Sequence, residues 1–130
     1  MNASPPDSAS AEAVVQRQLD AYNARDLDRL MAAYADDALQ FEYPATLLAS
    51  GTAQIRERFA GRFKEPNLHA RLLRRIVMGS IVVDHEEVTR TFPEGSGKVE
   101  LVAIYEVRGG RIATARFISG LRELDQHDDP

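Results

Sequence analysis

The side chains able to do chemistry in this sequence are its Asp, Glu, Tyr and His residues, because the alternatives fall away one by one. There is no cysteine, which removes disulfides, thiolate nucleophiles and zinc–thiolate sites together. The histidines His69, His85 and His127 lack the close spacing of a helical metal-ligand pair, and neither a Gly-rich phosphate loop nor a Gly-x-Ser-x-Gly elbow is present. What remains is acid/base work without metal or cofactor, or pure binding. His85 sits in the polar run Asp84, His85, Glu86, Glu87, and an imidazole beside carboxylates suits proton transfer. Its strand-phase partners Ile81, Val83, Thr89 and Thr91 put it on either a cavity face or an interface. Tyr105 shares its phase with Val99, Leu101, Ala103 and Val107, so the pattern buries it and its hydroxyl must find a partner. Glu42 lies in a strand whose apolar phase is Leu39, Phe41 and Tyr43, which turns the carboxylate outward. Gln18 is one step off a helical stripe and in line with Val14 and Ala21.

Periodicity supplies the elements that must carry these residues. Val15, Leu19 and Tyr22 recur at helical spacing over Ala11–Ala24, with Ser10 as N-cap and Glu12 in the first turn. Asp26 caps a second helix bearing Leu27, Leu30, Met31 and Tyr34, which ends near Asp36 and Asp37, read as a turn and cap. A strand over residues 39–43 stops at Pro44, and residues 45–50 read as a loop. Ile55, Phe59 and Phe63 mark a third helix after Gly51-Thr52, stopped by Pro66. The period then becomes two. Leu68, Ala70, Leu72, Ile76 and Met78 alternate with His69, Arg71, Leu73, Arg75 and Val77, the latter face being outward. Gly79-Ser80 turns this strand into Ile81–Phe92, and Gly109-Gly110 joins strands 98–107 and 112–120.

Helices gathered ahead of antiparallel strands predict an α+β domain, three helices covering one face of a curved sheet. The domain spans residues 11–120, between polar, Pro-containing tails at 1–10 and 121–130. Tyr22, Phe59, Phe63 and Phe117 are then either cavity wall or plain core. Apolar residues in both phases of a strand, as at Leu101 to Ile104, ask for cover on both faces, which predicts a homodimer.

The balance of 16 basic against 20 acidic residues gives a net charge of −4, without the basic footprint of a nucleic-acid binder. No apolar run approaches a membrane span, and the N-terminus has no basic region leading into an apolar one, so a cytoplasmic protein with no membrane partner is expected.

Several short motifs carry a resemblance: Val14-Val15-Gln16-Arg17, Asn23-Ala24, Asp26-Leu27-Asp28, Ala35-Asp36-Asp37-Ala38, Ser50-Gly51-Thr52-Ala53, Ile55-Arg56-Glu57 and Gly110-Arg111-Ile112. Over residues 14–120 the chain resembles the SnoaL-like and ketosteroid-isomerase-like families of the nuclear transport factor 2-like, cystatin-like superfamily. The resemblance implies a cone-shaped, antiparallel or mixed sheet around a cavity for a small apolar molecule, dimeric, with cofactor-free isomerase-, cyclase- or dehydratase-like chemistry or simple binding. It also implies positions. Gln18 stands where the isomerases place an oxyanion-binding tyrosine, and Tyr105 where they place a protonated aspartate. Counting from Ala35-Asp36-Asp37-Ala38 puts Glu42 at the general base, while a one-residue bulge puts Tyr43 there. The expectation is catalysis by Glu42 and Tyr105, with Gln18, Tyr22, Tyr43, Phe59, Phe63, His85 and Phe117 around the ligand.

Overall fold

Both expected helix caps form. The Ser10 hydroxyl accepts the Ala13 N–H at the start of α1 (Ala11–Ala24), and the Asp26 carboxylate accepts the Arg29 N–H at the start of α2 (Leu27–Ala32). The computed structural model describes residues 10–125, so of the tails expected at 1–10 and 121–130, residues 1–9 and 126–130, with His127, lie outside the described residues. After α2 come β1 (Tyr34–Glu42), β2 (Thr46–Ser50), α3 (Gly51–Arg62), β3 (His69–Met78), β4 (Ile81–Phe92), β5 (Gly95–Arg108) and β6 (Arg111–Leu124). The strands form one curved sheet in the order β2-β1-β6-β5-β4-β3, antiparallel except for the parallel pair β1–β6. The helices pack on one face of it. This is the α+β cone expected.

Four local readings change. Helix α2 stops at Ala32, not near Asp37, because the Ala33 carbonyl accepts the Ile112 N–H and Tyr34 pairs with Ile112, so sheet pairing takes residues whose apolar spacing also suits a helix. Asp36 and Asp37 therefore lie within β1. The expected loop 45–50 is mostly strand, since β2 pairs antiparallel with β1. A bulge between Leu72 and Arg74 flips the second half of β3, which turns Arg75 inward and leaves Ile76 57% exposed. Finally, β6 continues to Leu124, where it pairs with Gly97, four residues past the expected end.

Two apolar clusters lie between the helices and the sheet. The first joins Val14, Val15, Leu30, Tyr34 and Ile55 to Val82, Ala103, Tyr105 and Ile112, and the second joins Leu19 to Leu68, Val88, Phe92 and Val99. Tyr22 and Phe63 touch both. Each fully buried aliphatic contributes roughly 1.5–3 kcal/mol. Asn23 fastens α1 to the sheet edge: its amide donates to the Ala70 carbonyl at 2.9 Å and accepts the Ala70 N–H at 2.8 Å. Among the described residues no helix is long and apolar enough to cross a membrane.

Candidate functional site

A cavity of about 240 Å³ opens between α1, α3 and the inner face of the sheet. Its volume falls just below the roughly 300–1,000 Å³ of typical small-molecule pockets. Its depth is set by β4. Because side chains alternate along a strand, Val82, Asp84, Glu86 and Val88 point inward together and are buried. Two carboxylates thus enter the covered side of the sheet two residues apart.

Their environments differ. Asp84 is fully buried and held by a two-pronged ion pair from Arg75, Nε to Oδ1 at 2.6 Å and the second guanidinium nitrogen to Oδ2 at 2.9 Å. The remaining Arg75 nitrogen donates to Gln16 Oε1 at 2.8 Å, which ties the pair to α1. Glu86, 4% exposed, lines the cavity, and no hydrogen bond from the described residues stabilises its charged form. Burial, reinforced by the neighbouring Asp84 charge and opposed by Arg75, pushes the Glu86 carboxyl up to about 7. An acid poised there is half ionised at neutral pH. Tyr105, opposite Val82 on β5, is buried and lines the same cavity, with its phenol held well above the ordinary range by burial and then by the Glu86 charge. It is therefore a proton-bearing donor at any physiological pH.

Gln18 and Tyr22 of α1, Phe59 of α3 and Phe117 of β6 complete the wall around these two groups. Tyr22 packs edge-on against Phe59 and Phe63, with ring centroids at 6.1 and 5.7 Å, and burial raises its phenol against the pull of Arg62 and Arg90. Phe63 supports this cluster from outside the cavity lining.

Glu42 and Tyr43 separate cleanly. The inward phase of β1 is Ala38, Gln40 and Glu42, opposite to the reading from Leu39, Phe41 and Tyr43. Glu42 borders the cavity but is exposed, at the mouth, and Tyr43 is 52% exposed and outside it. The pattern misled because the buried inner residue is Gln40, a polar one. Its amide donates to the Tyr34 hydroxyl at 3.3 Å and its carbonyl oxygen accepts from Arg58. His85 is also outside: it sits on the opposite face of β4 against Glu100. The physical reason is the same, since the β-branched phase of β4 faces away from the helices and the acidic phase faces them. Sequence reasoning thus missed Asp84, Glu86, Gln40 and Arg58. The signal available for the first two was the alternation Val82, Asp84, Glu86, Val88, with apolar residues bracketing acidic ones. Among the described residues no cluster of His, Asp and Glu is arranged to hold a metal ion.

A family model described as a SnoaL-like domain matches residues 15–115. The chain belongs to the SnoaL-like family. The SnoaL-like fold is shared with solved structures of modest identity. A cystatin-fold protein of uncharacterised function from Novosphingobium aromaticivorans superposes with a TM-score of 0.79 at 26% identity, covering 85% of this chain and 99% of that one. An LEH-like epoxide hydrolase from M. tuberculosis gives 0.72 at 19% identity over 88% of this chain and 86% of that one. A protein with a ketosteroid isomerase-like fold from Catenulispora acidiphila, solved with trimethylamine, gives 0.70 at 16% over 81% and 83%. The last two establish the fold alone. Within the SnoaL-like cone, chemistry must be argued from the residues that this chain places in it.

Proposed function

We propose that this SnoaL-like chain binds a small, largely apolar carbonyl compound and moves a proton on the carbon next to the carbonyl, without a cofactor. The observation that carries the reading is Glu86: a carboxyl group buried at the wall of a cavity that is also lined by a phenol that keeps its proton, and poised near neutrality. In this scheme the ionised Glu86 takes the proton from carbon and returns it to another position. Tyr105, and the Gln18 amide across the cavity, donate hydrogen bonds to the carbonyl oxygen as it gains enolate charge. The role first assigned to Glu42 thereby passes to Glu86, because Glu42 is exposed at the mouth while Glu86 is buried at the cavity wall. Isomerisation and cyclisation both begin with this step.

The direct test is a carbon-detected NMR titration of the Glu86 carboxyl. A midpoint near 7 is expected, and a value near the ordinary 4.5 overturns the assignment. The chemical test is deuterium exchange at the methyl group of 2-acetylnaphthalene in heavy water. Glu86→Gln should slow protein-dependent exchange by about a hundredfold or more. Binding of the ketone with no protein-dependent exchange marks a noncatalytic ligand-binding module.

The outer face of the sheet supports a homodimer as part of the same reading. Ile76, Val83, Ile104, Arg116, Phe41 and Leu47 lie in register across all six strands, with the Arg116 guanidinium 4.9 Å above the Phe41 ring. Ile76 and Leu47 are more than half exposed, at 57% and 54%. Among the described residues no helix covers this side, and a second copy presenting the same row is the cover proposed.

A further inference from the structure

Three arginines gather at the mouth of the cavity, and among the described residues one of them, Arg58, is left without a carboxylate partner. Arg58 and Arg62 stand one turn apart on α3, and Arg90 reaches the same opening from β4. All three line both the cavity and the shallow depression outside it, so they form the neck between the two. Three acids border the same opening, Glu42, Glu57 and Glu65, and of these Glu65, just beyond α3, pairs with the arginines. It takes two hydrogen bonds from Arg90, at 3.1 and 2.6 Å, one from the Thr91 N–H at 2.9 Å, and lies 3.6 Å from Arg62 Nε. Arg58 has no carboxylate within ion-pair distance among the described residues, and its recorded partner is the neutral Gln40 amide. Burial and the like charge of Arg62 both act against its own charge. Glu42, two residues along β1 from Gln40, borders the opening without pairing to it.

A half-buried guanidinium next to a second one, at the neck of an apolar-walled cavity, is a site for an anion supplied from outside. Glu65 shows which anion these arginines accommodate, since its carboxylate already bridges Arg62 and Arg90. We propose that the ligand of this cavity carries a carboxylate as well as its reacting carbonyl, with the carboxylate held at the neck by Arg58 and Arg62 and the carbonyl end directed inward to Glu86 and Tyr105. The polarity of the cavity thereby fixes the direction in which the ligand enters. It also explains how an acid can be kept half protonated at the far end without repelling its own substrate: the negative group of the ligand stays at the arginines. The inference rests on the cavity being a ligand site and specifies the class of ligand.

The test uses two probes of nearly equal shape, 2-naphthoate and the neutral 2-naphthamide, titrated by calorimetry against the full chain at low and moderate salt. The acid should bind at least about tenfold more tightly than the amide, equivalent to about 1.4 kcal/mol, and should lose that advantage as salt is raised. Arg58→Gln should remove about tenfold from naphthoate affinity and leave naphthamide within about twofold, with Arg62→Gln acting in the same direction. Arg58→Lys, which keeps the charge, should recover part of the loss. Equal affinity of the two probes, or an Arg58→Gln variant that weakens both alike, overturns the carboxylate site while leaving the ligand cavity intact. Failure of both probes to bind at millimolar concentration to folded protein overturns the ligand cavity as well, and the Glu86 titration reports on the acid independently of either outcome.

Discussion

The two faces of strand β4 invert the usual relation between polarity and burial. Inward, towards the helices, are Val82, Asp84, Glu86 and Val88, all buried; outward are Ile81, Val83, His85 and Thr89, all half-buried. The neighbouring strand repeats the outward pattern with Val102 and Ile104. Which face is covered is decided by where α1, α2 and α3 can pack, and the helices follow the shape and register of the whole sheet and not the hydropathy of one strand. The covered face can therefore afford acids, provided each has a reason to be there. Asp84 is paired and structural, whereas Glu86 is unpaired and chemically poised. The uncovered face keeps its aliphatic row, which is the reason to expect a second copy on it.

Breaking the paired acid should have the largest effect. Asp84→Ala leaves Arg75, only 9% exposed, without its carboxylate, and removal of one partner from a buried pair costs about 3–5 kcal/mol. Urea melts of parent and variant measure it. A loss below about 1 kcal/mol means that Arg75 swings out to water and that the pair does not anchor β3 to β4.

The unpaired acid should behave in the opposite sense. In the unfolded chain Glu86 releases its proton near the ordinary 4.5 and in the folded chain near about 7. Between those values the folded state holds the extra proton, so stability falls as pH rises, by about 3 kcal/mol in all, and the loss is complete above neutrality. Glu86→Gln removes this dependence. The variant should match the parent near pH 4 and exceed it by up to about 3 kcal/mol at pH 8, read from melts across the range. Parallel pH profiles for the two proteins are the outcome that refutes a desolvated Glu86.

The outer face is probed by Val83→Lys. This places a charge in the middle of the aliphatic row while touching nothing under the helices. Light scattering at micromolar concentration should give twice 14.4 kDa for the parent and 14.4 kDa for the variant. Intrinsic stability of the separated chain should change by less than about 1 kcal/mol. A parent that already runs at the single-chain mass removes the dimer.

How much of this was legible beforehand follows the same division between local and tertiary signals. The caps Ser10 and Asp26, helix α3 and the hairpin turns are written in a few adjacent residues each, and a reader of the sequence recovers them. Strand β2 and the start of β1 are not local: Tyr34 fits the helical stripe of Leu27, Leu30 and Met31, and only its pairing with Ile112, far along the chain, makes it a strand. Tyr105 was marked by a family likeness and its apolar phase, and Gln18 by the likeness and its line with Val14 and Ala21; both line the cavity. Glu86 was passed over because alternation shows that two faces differ without showing which of them the helices will cover.

Glu42 gives the smallest and most discriminating prediction. It shares the inward phase of β1 with buried Gln40, yet it ends at the mouth of the cavity in contact with solvent. The exposed carboxylate there has no hydrogen-bond partner among the described residues whose loss would be felt, so Glu42→Gln should change stability by less than about 0.5 kcal/mol. Proton exchange on 2-acetylnaphthalene should be within about threefold of the parent, since the reacting carbon lies deeper, beside Glu86. Affinity for 2-naphthoate should rise, by no more than about threefold, because one negative charge leaves a rim that Arg58 and Arg62 share, while 2-naphthamide is indifferent. The outcome that would reverse the comparison is a hundredfold loss of exchange in Glu42→Gln with Glu86→Gln unaffected. Chemistry would then sit at the rim, on the acid that the outward-facing pattern had turned towards water.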